Sequence, residues 1–430
     1  MSQTAKGAAL EKNRSQLTAL DIFMSQLRKR LQQDVQFLES IFANDKTPPN
    51  DVLVQAEALD RHTVDAHLVW GFFRSKLDQR FVPLFGRHLL AMDLVAHDCY
   101  RTVLDRAEDL GLMRQPGLRD YPLTFFQDEF ASPVTWQRGT KIDRLDHRRL
   151  PIPIVGIPWN HQRIPWEFLS LHHEVAHDLD ADLGDVSSEL KENLGKRLQQ
   201  RKVPAKRTEA WQTWTSEIFA DFLGILLAGP PFASFLANFL TCSKVRVVEW
   251  NADEPHPPSF VRILLNGHLV KSLRYGKAAE VYVNRLIREW KSLYDPPPTG
   301  LAHFLADFDH VIASILDSRL NCLKDESGKK HSIRSLVTVS ATDFAAQRGL
   351  SKLLLDGSPL PSQGTLRHVA GAAFLAMEQI NGTNAASTDE ISESVIGHIF
   401  AIAPPGQLAI RTKASTDHLK FLANAYYDAP

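Results

Sequence analysis

The stretch PWEFLSLHHEVAHDLDADLG, residues 165–184, decides how the centre of this chain folds. Pro165 stands at a suitable first position of a helix, the apolar residues after it recur at helical spacing, and Gly184 is a natural stop. The stretch therefore predicts one helix that buries its apolar side. Polar side chains on such a helix need partners, because an unpaired buried polar group costs free energy.

The polar residues that need partners include His173, Glu174 and His177, which form the pattern H-E-x-x-H. Residues four positions apart lie on one face of a helix, so His173 and His177 are placed to bind the same metal ion. Glu174 is then within reach of water at that metal and has the chemistry of a general base. The pattern predicts a zinc site in which His173 and His177 are ligands.

A third ligand is needed, because a catalytic zinc site takes three protein ligands and keeps one position open for water. The continuation H-x-x-G-x-x-H is excluded, since its last two fixed positions hold Asp180 and Leu183. A later apolar helix offers Glu217 and, four residues on, Asp221. We prefer Glu217 as the third ligand, with Asp221 orienting a ligand histidine through its other ring nitrogen.

Two alternatives stay open at this point. Asp178, Asp180 and Asp182 crowd the end of the metal helix, and we interpret them as a solvated face, with Asp180 a minor rival for the third ligand. A purely structural zinc site would instead be closed by a fourth protein ligand. For that ligand the candidates are His172 and Asp180.

A third motif, His256-Pro257-Pro258 followed by Arg262, comes after these two in the chain. The order H-E-x-x-H, E-x-x-x-D, H-P-x-x-x-x-R resembles the gluzincin family that includes the CAAX prenyl endopeptidases and the HtpX heat-shock proteases. The similarity covers roughly residues 150–270 and concerns motifs rather than the whole chain. It implies that this chain is a soluble variant of a zinc metallopeptidase.

The resemblance implies a role for each matching residue. His173, His177 and Glu217 would bind one zinc ion per chain. Glu174 would take the proton from the zinc-bound water and later pass it to the leaving amine.

The remaining matches are implied to support that chemistry. His256 would hydrogen-bond the oxyanion of the tetrahedral intermediate. Arg262 would form an ion pair that holds the site together, with Asp221 as its partner.

The substrate is expected to differ from that of the family, whose members are largely integral membrane proteins. The most apolar stretch, residues 218–240, contains Asp221 and the breaker Gly229-Pro230-Pro231, so it predicts two buried helices joined by a turn. We therefore do not extend the prenylated or membrane substrates of the family to this chain. Residues 150–158 predict an edge strand beside the metal, which could bind an extended peptide as a further strand.

The amino-acid composition restricts which partners and which cellular location can be expected. The 430 residues carry a formal net charge of −1, so no overall field draws the chain to nucleic acid, and basic residues between 196 and 207 are interpreted as a solvated face. The three cysteines, Cys99, Cys242 and Cys322, are far apart, which argues against a disulfide framework and favours a reducing, cytoplasmic location. No signal peptide is visible at the start of the sequence.

We predict a mainly α fold with a small β-sheet, in which a zincin-like metallopeptidase core is flanked by helical regions. The boundaries are 1–118 for an N-terminal helical region, 119–295 for the core and 296–430 for a C-terminal helical region. Helices are expected at 16–43, where one apolar stripe runs the whole length, and at several later segments. These include about 186–200, 206–228, 301–323, 364–380 and 388–402.

The predicted function is that of a zinc-dependent endopeptidase, in which Glu174 activates the attacking water. Its partners would be a protein or peptide substrate and possible regulators that bind the C-terminal helical region; no nucleic acid is expected. The alternative is a helical interaction or regulatory protein whose zinc site is structural or catalytically inactive.

Overall fold

The computed structural model of the protein is mainly helical with a small sheet, which confirms the predicted fold class. The residues that it describes are 14–112, 121–127, 132–137, 140, 150, 152–251, 254–380 and 386–403.

The helices that precede the metal motif and form its surroundings are α1 (Arg14–Phe42), α2 (Pro49–Asp78), α3 (Pro83–Asp109), α4 (Ser170–Asp182), α5 (Val186–Gln200), α6 (Ala205–Thr213), α7 (Thr215–Ala228), α8 (Pro231–Leu240), α9 (Lys244–Val248) and α10 (Ser259–Ser272). The later helices are α11 (Lys277–Tyr294), α12 (Thr299–Leu305), α13 (Phe308–Asp317), α14 (Ala341–Leu355), α15 (Leu366–Met377) and α16 (Thr388–Ile402). The strands are β1 (Leu123–Gln127), β2 (Val134–Trp136), β3 (Ile154–Pro158), β4 (Leu320–Lys324) and β5 (Lys330–His331).

Strand β3 is the centre of the main sheet, so the prediction of an edge strand at 150–158 is wrong. The order is β1-β3-β2, with β1 parallel and β2 antiparallel to β3. The prolines that suggested an edge fall outside the strand or at its last residue, Pro158, and they leave the amides of residues 154–157 free to pair. The edge strand next to helix α4 is β2.

The sheet separates two apolar cores. Its outer face packs against the base of the α1–α2 hairpin through Leu20, Phe23 and Phe73, which contact a cluster that includes Phe125. Its inner face contributes to the larger core that surrounds α4. The metal helix is thus held on the side of the sheet opposite to the N-terminal hairpin.

The apolar stripe predicted along α1 is buried only near its start. Leu20 and Leu27 are 5% and 1% exposed, whereas Val35 and Phe42 are 40% and 76% exposed. The cause is that only the base of the α1–α2 hairpin reaches the sheet, while no other described element covers its far part.

Two of the predicted helices are interrupted. The expected helix 206–228 is split at Trp214 into α6 and α7, and the expected helix 301–323 ends at Asp317. Strand β4 follows at Leu320–Lys324 and pairs antiparallel with β5, a hairpin that the sequence pattern did not reveal. The helices expected at 186–200 and 388–402 are confirmed.

The C-terminal helices pack against the elements that surround the metal helix. The larger core runs from Leu89 to Ile399, and α15 lies against the turn that leads into α4. The three predicted regions therefore share one apolar core, and their boundaries stay a prediction. No helix in the described ranges has both the length and the apolar character needed to cross a bilayer.

Candidate metal centre

The metal helix begins with a 3-10 turn. Residues 165–169 form this turn, and the α-helix starts at Ser170, whose hydroxyl donates to the carbonyl of Glu167 at 2.8 Å. Pro165 is thus the first helical residue, as predicted, although the first turn is 3-10 and not α-helical. The helix ends at Asp182, and the stop at Gly184, with a φ of +99°, is confirmed.

Three atoms that can ligate a metal converge beside the middle of α4. Nε2 of His173 lies 3.2 Å from Nε2 of His177. Glu217, in the first turn of α7, places Oε2 at 3.2 Å from Nε2 of His173 and Oε1 at 3.5 Å from Nε2 of His177. Among the described residues, His173, His177 and Glu217 are the group arranged to hold a metal ion.

The spacing of these atoms fits zinc. Ligand atoms about 2.0–2.1 Å from a tetrahedral zinc ion lie about 3.4 Å from one another, close to the separations found. Oε2 of Glu217 is buried, and although nitrogen atoms of His173 and His256 lie 3.2 and 3.1 Å away, neither is aligned to hydrogen-bond with it. A buried carboxylate oxygen in that state is costly, and a cation between the three ligands would satisfy it.

Asp221 contacts His173 at the ring nitrogen that is not directed to His177 and Glu217. Its Oδ1 lies 3.0 Å from Nδ1 of His173, which leaves Nε2 of that ring for the metal. Arg262 in α10 donates to both oxygens of Asp221, each at 2.7 Å, and Asn266 donates to Oδ2 at 2.9 Å. The predicted contacts of Asp221 with a histidine of the motif, His173, and with Arg262 are confirmed, and the role of His173 as a metal ligand stays a prediction.

The ligands are more accessible than the residues that support them. The side chains of His173, His177 and Glu217 are 14%, 16% and 14% exposed, whereas those of Asp221 and Arg262 are 2% and 7% exposed. The three candidate ligand side chains are therefore partly accessible, although Oε2 of Glu217 is buried, and the charged groups that support them are enclosed by the helices.

The charged groups of the site shift one another's pKa values. Burial by itself would raise the pKa of Glu217 and of Asp221, but the neighbouring His173 and Arg262 outweigh it and hold both pKa values well below their usual range. Burial would lower the pKa of His173, yet contacts with Asp221 and Glu217 raise it to about 10. Burial and the nearby His173 lower the pKa of His177 to about 4.

Glu174 has a partner that sequence reasoning missed. The hydroxyl of Thr135, in strand β2, lies 2.6 Å from Oε2 of Glu174 and 3.0 Å from its backbone oxygen. Gln137 donates to the carbonyl oxygen of His177 at 2.6 Å. Burial raises the pKa of Glu174, while the charge of His173 and the hydrogen bond from Thr135 act in the opposite direction.

The third motif also reaches the ligand set. Trp214, which is fully buried between α6 and α7, donates from Nε1 to the carbonyl oxygen of Glu254 at 3.1 Å. This bond ties the segment before α10 to the start of α7 and brings Nε2 of His256 to 3.1 Å from Oε2 of Glu217. The side chain of His256 is 52% exposed, so it stands at the accessible edge of the site.

The three aspartates at the end of α4 are buried, so their interpretation as a solvated face is wrong. Asp178, Asp180 and Asp182 are 1%, 4% and 5% exposed. Asp180 accepts a hydrogen bond from the backbone amide of Ser187 at 2.7 Å and so caps the first turn of α5, and Asp182 accepts one from the hydroxyl of Tyr100. Asp180 and Asp182 therefore connect α4 to neighbouring helices instead of facing water.

The two residues considered as a closing fourth ligand are engaged elsewhere. His172 is fully buried and its ring nitrogens lie 3.2 Å from the carbonyl oxygen of Leu169 and 2.8 Å from that of Arg367. Asp180 caps α5 as described. Neither belongs to the group of converging ligand atoms.

Comparisons with models of known protein families, with curated proteins and with solved structures each give no significant match. The functional assignment therefore depends on the chemistry of the site itself.

Proposed function

We propose that this protein is a zinc-dependent endopeptidase of the gluzincin type. The observation that carries the proposal is the convergence of Nε2 of His173, Nε2 of His177 and the carboxylate of Glu217. The two nitrogens are 3.2 Å apart, and the two carboxylate oxygens lie 3.2 Å from the first nitrogen and 3.5 Å from the second, respectively. Two imidazoles and one carboxylate are a ligand set of catalytic zinc sites, in which the fourth position is open. The three motifs shared with the CAAX prenyl endopeptidases and HtpX proteases support the same class.

The chain supplies the groups that hydrolysis of a peptide bond needs. A zinc ion, when bound, supplies a Lewis acid and makes water more acidic. Glu174 accepts a proton from the water whose oxygen attacks the carbonyl carbon, and it returns that proton to the nitrogen atom as the carbon–nitrogen bond breaks.

Two further side chains complete the proposed chemistry. His256 donates a hydrogen bond from Nε2 to the carbonyl oxygen as that oxygen gains negative charge. Asp221 keeps His173 in the tautomer whose Nε2 carries the lone pair, and the paired Arg262 keeps Asp221 ionised.

The substrate we propose is an extended stretch of protein or peptide. Strand β2 is at the edge of the sheet, it borders α4, and its residue Thr135 contacts the base. Backbone groups on an edge strand can pair with an extended chain as an additional strand. We propose cytoplasmic substrates, no nucleic-acid partner, and regulators that bind the C-terminal helical region.

The alternative, a structural or inactive zinc site in an interaction protein, has less support. A structural site takes a fourth protein ligand, and the two candidates, His172 and Asp180, bond elsewhere. The exposed His256 and the partly accessible ligands also favour a site that water can enter.

The test is hydrolysis of fluorescein-labelled casein by zinc-loaded protein, with Glu174→Gln as the matched variant. We expect the wild type to cleave casein, the variant to lose cleavage, and both to hold about one zinc per chain. A wild type that holds zinc and releases no peptide would favour the structural alternative.

A further inference from the structure

Strand β2 divides its side chains between the two faces of the sheet. Trp136 points to the outer face and stacks on Phe125 at a ring-centroid distance of 5.7 Å. Its neighbours Thr135 and Gln137 therefore point to the inner face, because successive side chains on a strand alternate. There they meet Glu174 and the carbonyl oxygen of His177 in the metal helix.

We propose that Thr135 is a positioning residue for Glu174: its hydroxyl donates to Oε2 and fixes the carboxylate with Oε1 turned to the attacking water. The inference rests on the proposed function, since the orientation of Glu174 matters only if Glu174 acts as the base. None of the three motifs that suggested the function includes Thr135, which precedes all of them in the sequence.

The hydroxyl of Thr135 has one proton and two acceptors within reach, and the carboxylate is the better one. Oε2 of Glu174 is at 2.6 Å and the backbone oxygen at 3.0 Å. Hydrogen bonds to a charged oxygen are shorter and about twice as strong as bonds between neutral groups. The backbone oxygen, in the middle of α4, is also the acceptor for an amide one turn later.

Thr135 is suited to restrict the conformation of the flexible Glu174 side chain. Glu174 has three rotatable side-chain bonds, and it is 7% exposed, so little water competes for its carboxylate. Threonine is branched at Cβ and therefore stiff, and its strand is anchored by Trp136 and by pairing with β3. A rigid donor at a short distance selects one rotamer of the base.

The experiment uses the full chain loaded with zinc and compares Thr135→Val with Thr135→Ser. Valine keeps the shape and the strand preference of threonine and removes the donor, whereas serine keeps the donor. The probe is acetohydroxamic acid, a small zinc chelator with a hydrogen-bond donor, and its affinity is measured by calorimetry. Thr213→Val, which removes an exposed hydroxyl bound to the carbonyl of Glu209, is the control.

We expect the valine variant to bind the hydroxamate about tenfold more weakly, and the serine variant to stay within about threefold of the wild type, at equal zinc content. Casein cleavage should show the same order in kcat, with KM unchanged within about twofold. Introduced into Glu174→Gln, the valine substitution should have no further effect, because its action passes through the carboxylate.

The outcomes separate this inference from the proposed function. Equal affinity in the wild type and the valine variant overturns the inference, as does an equal loss in the Glu174→Gln background, which would indicate a structural role. Hydroxamate binding without casein cleavage contradicts the proposed function alone, and absence of zinc from the wild type contradicts both. If Thr135→Val does not fold, Thr135→Ala gives the same comparison.

Discussion

Helix α4 carries two runs of metal-binding residue types, and the structure uses them differently. In the first half, His173 and His177 direct their ring nitrogens to one point that Glu217 also reaches. In the second half, Asp178, Asp180 and Asp182 are more deeply buried than the two histidines, but Asp180 caps α5 and Asp182 contacts Tyr100. The comparison teaches that a candidate metal site needs side chains that converge with a residue of a second helix. Several potential ligands close together in the sequence are not sufficient.

The largest difference between the two halves should appear in catalysis. Glu174→Gln removes the proposed base and keeps the shape of the side chain, so casein hydrolysis should fall by about 100- to 10,000-fold while zinc stays bound. Glu192→Gln, at an exposed position in α5, is the control and should leave the rate unchanged. Activity that persists in Glu174→Gln would remove Glu174 from its role as base.

The second-largest difference between the two halves of α4 should appear in zinc affinity. Glu217→Ala removes one of the three proposed protein ligands. We expect the zinc affinity measured by chelator competition to fall by more than about 100-fold, which exceeds the usual cost of losing a residue that only supports a ligand. Glu209→Ala, at an exposed position in α6, should have no effect. Unchanged affinity in Glu217→Ala would return Asp180 to consideration as the third ligand.

Asp221→Asn tests the support behind the first ligand. Zinc affinity should fall by about 10- to 100-fold, because the imidazole of His173 loses its charged partner. The free energy of unfolding should fall by about 3 kcal/mol, because Arg262 stays buried without its ion pair.

The matched control for Asp221→Asn is Asp317→Asn, which breaks the exposed pair with Arg334. That change should cost about 0–1 kcal/mol and leave zinc affinity unchanged. If Asp221→Asn behaves like Asp317→Asn in both measurements, the network around Asp221 does not position the ligand.

The smallest effect belongs to the second half of α4. Asp180→Ala removes the acceptor for the amide of Ser187, and the free energy of unfolding should fall by about 0.5–2 kcal/mol in chemical denaturation, as for the loss of a helix cap. Zinc content and casein hydrolysis of the folded variant should equal those of the wild type. A loss of zinc in Asp180→Ala would end the distinction between the two halves.

Helix periodicity explains which parts of the site the sequence could predict. Two residues four apart on a helix share a face in any fold, so the pairs His173–His177 and Glu217–Asp221 follow from local geometry alone. The hydrogen bond between His173 and Asp221 then needs only that α4 and α7 pack, as the apolar residues of both require. The order of these two pairs and His256 along the chain then suggested the remaining residue roles through the family resemblance.

Long-range pairing explains what the sequence could not predict. Thr135 lies in a strand of three residues, and its contact with Glu174 depends on β2 pairing with β3, which is distant in the chain. The prolines near β3 suggested an edge, although they leave the paired amides free. The aspartates of α4 were assigned to solvent because their partners, Ser187 and Tyr100, come together only in the fold.

The most direct test of the account is the zinc content of purified protein, measured by elemental analysis for the wild type, His173→Ala and His303→Ala. His303 is an exposed histidine in α12 and serves as the matched control. The account predicts about one zinc per chain in the wild type and in His303→Ala, and none in His173→Ala. A wild type that takes up no zinc after reconstitution, or an undiminished content in His173→Ala, would contradict it.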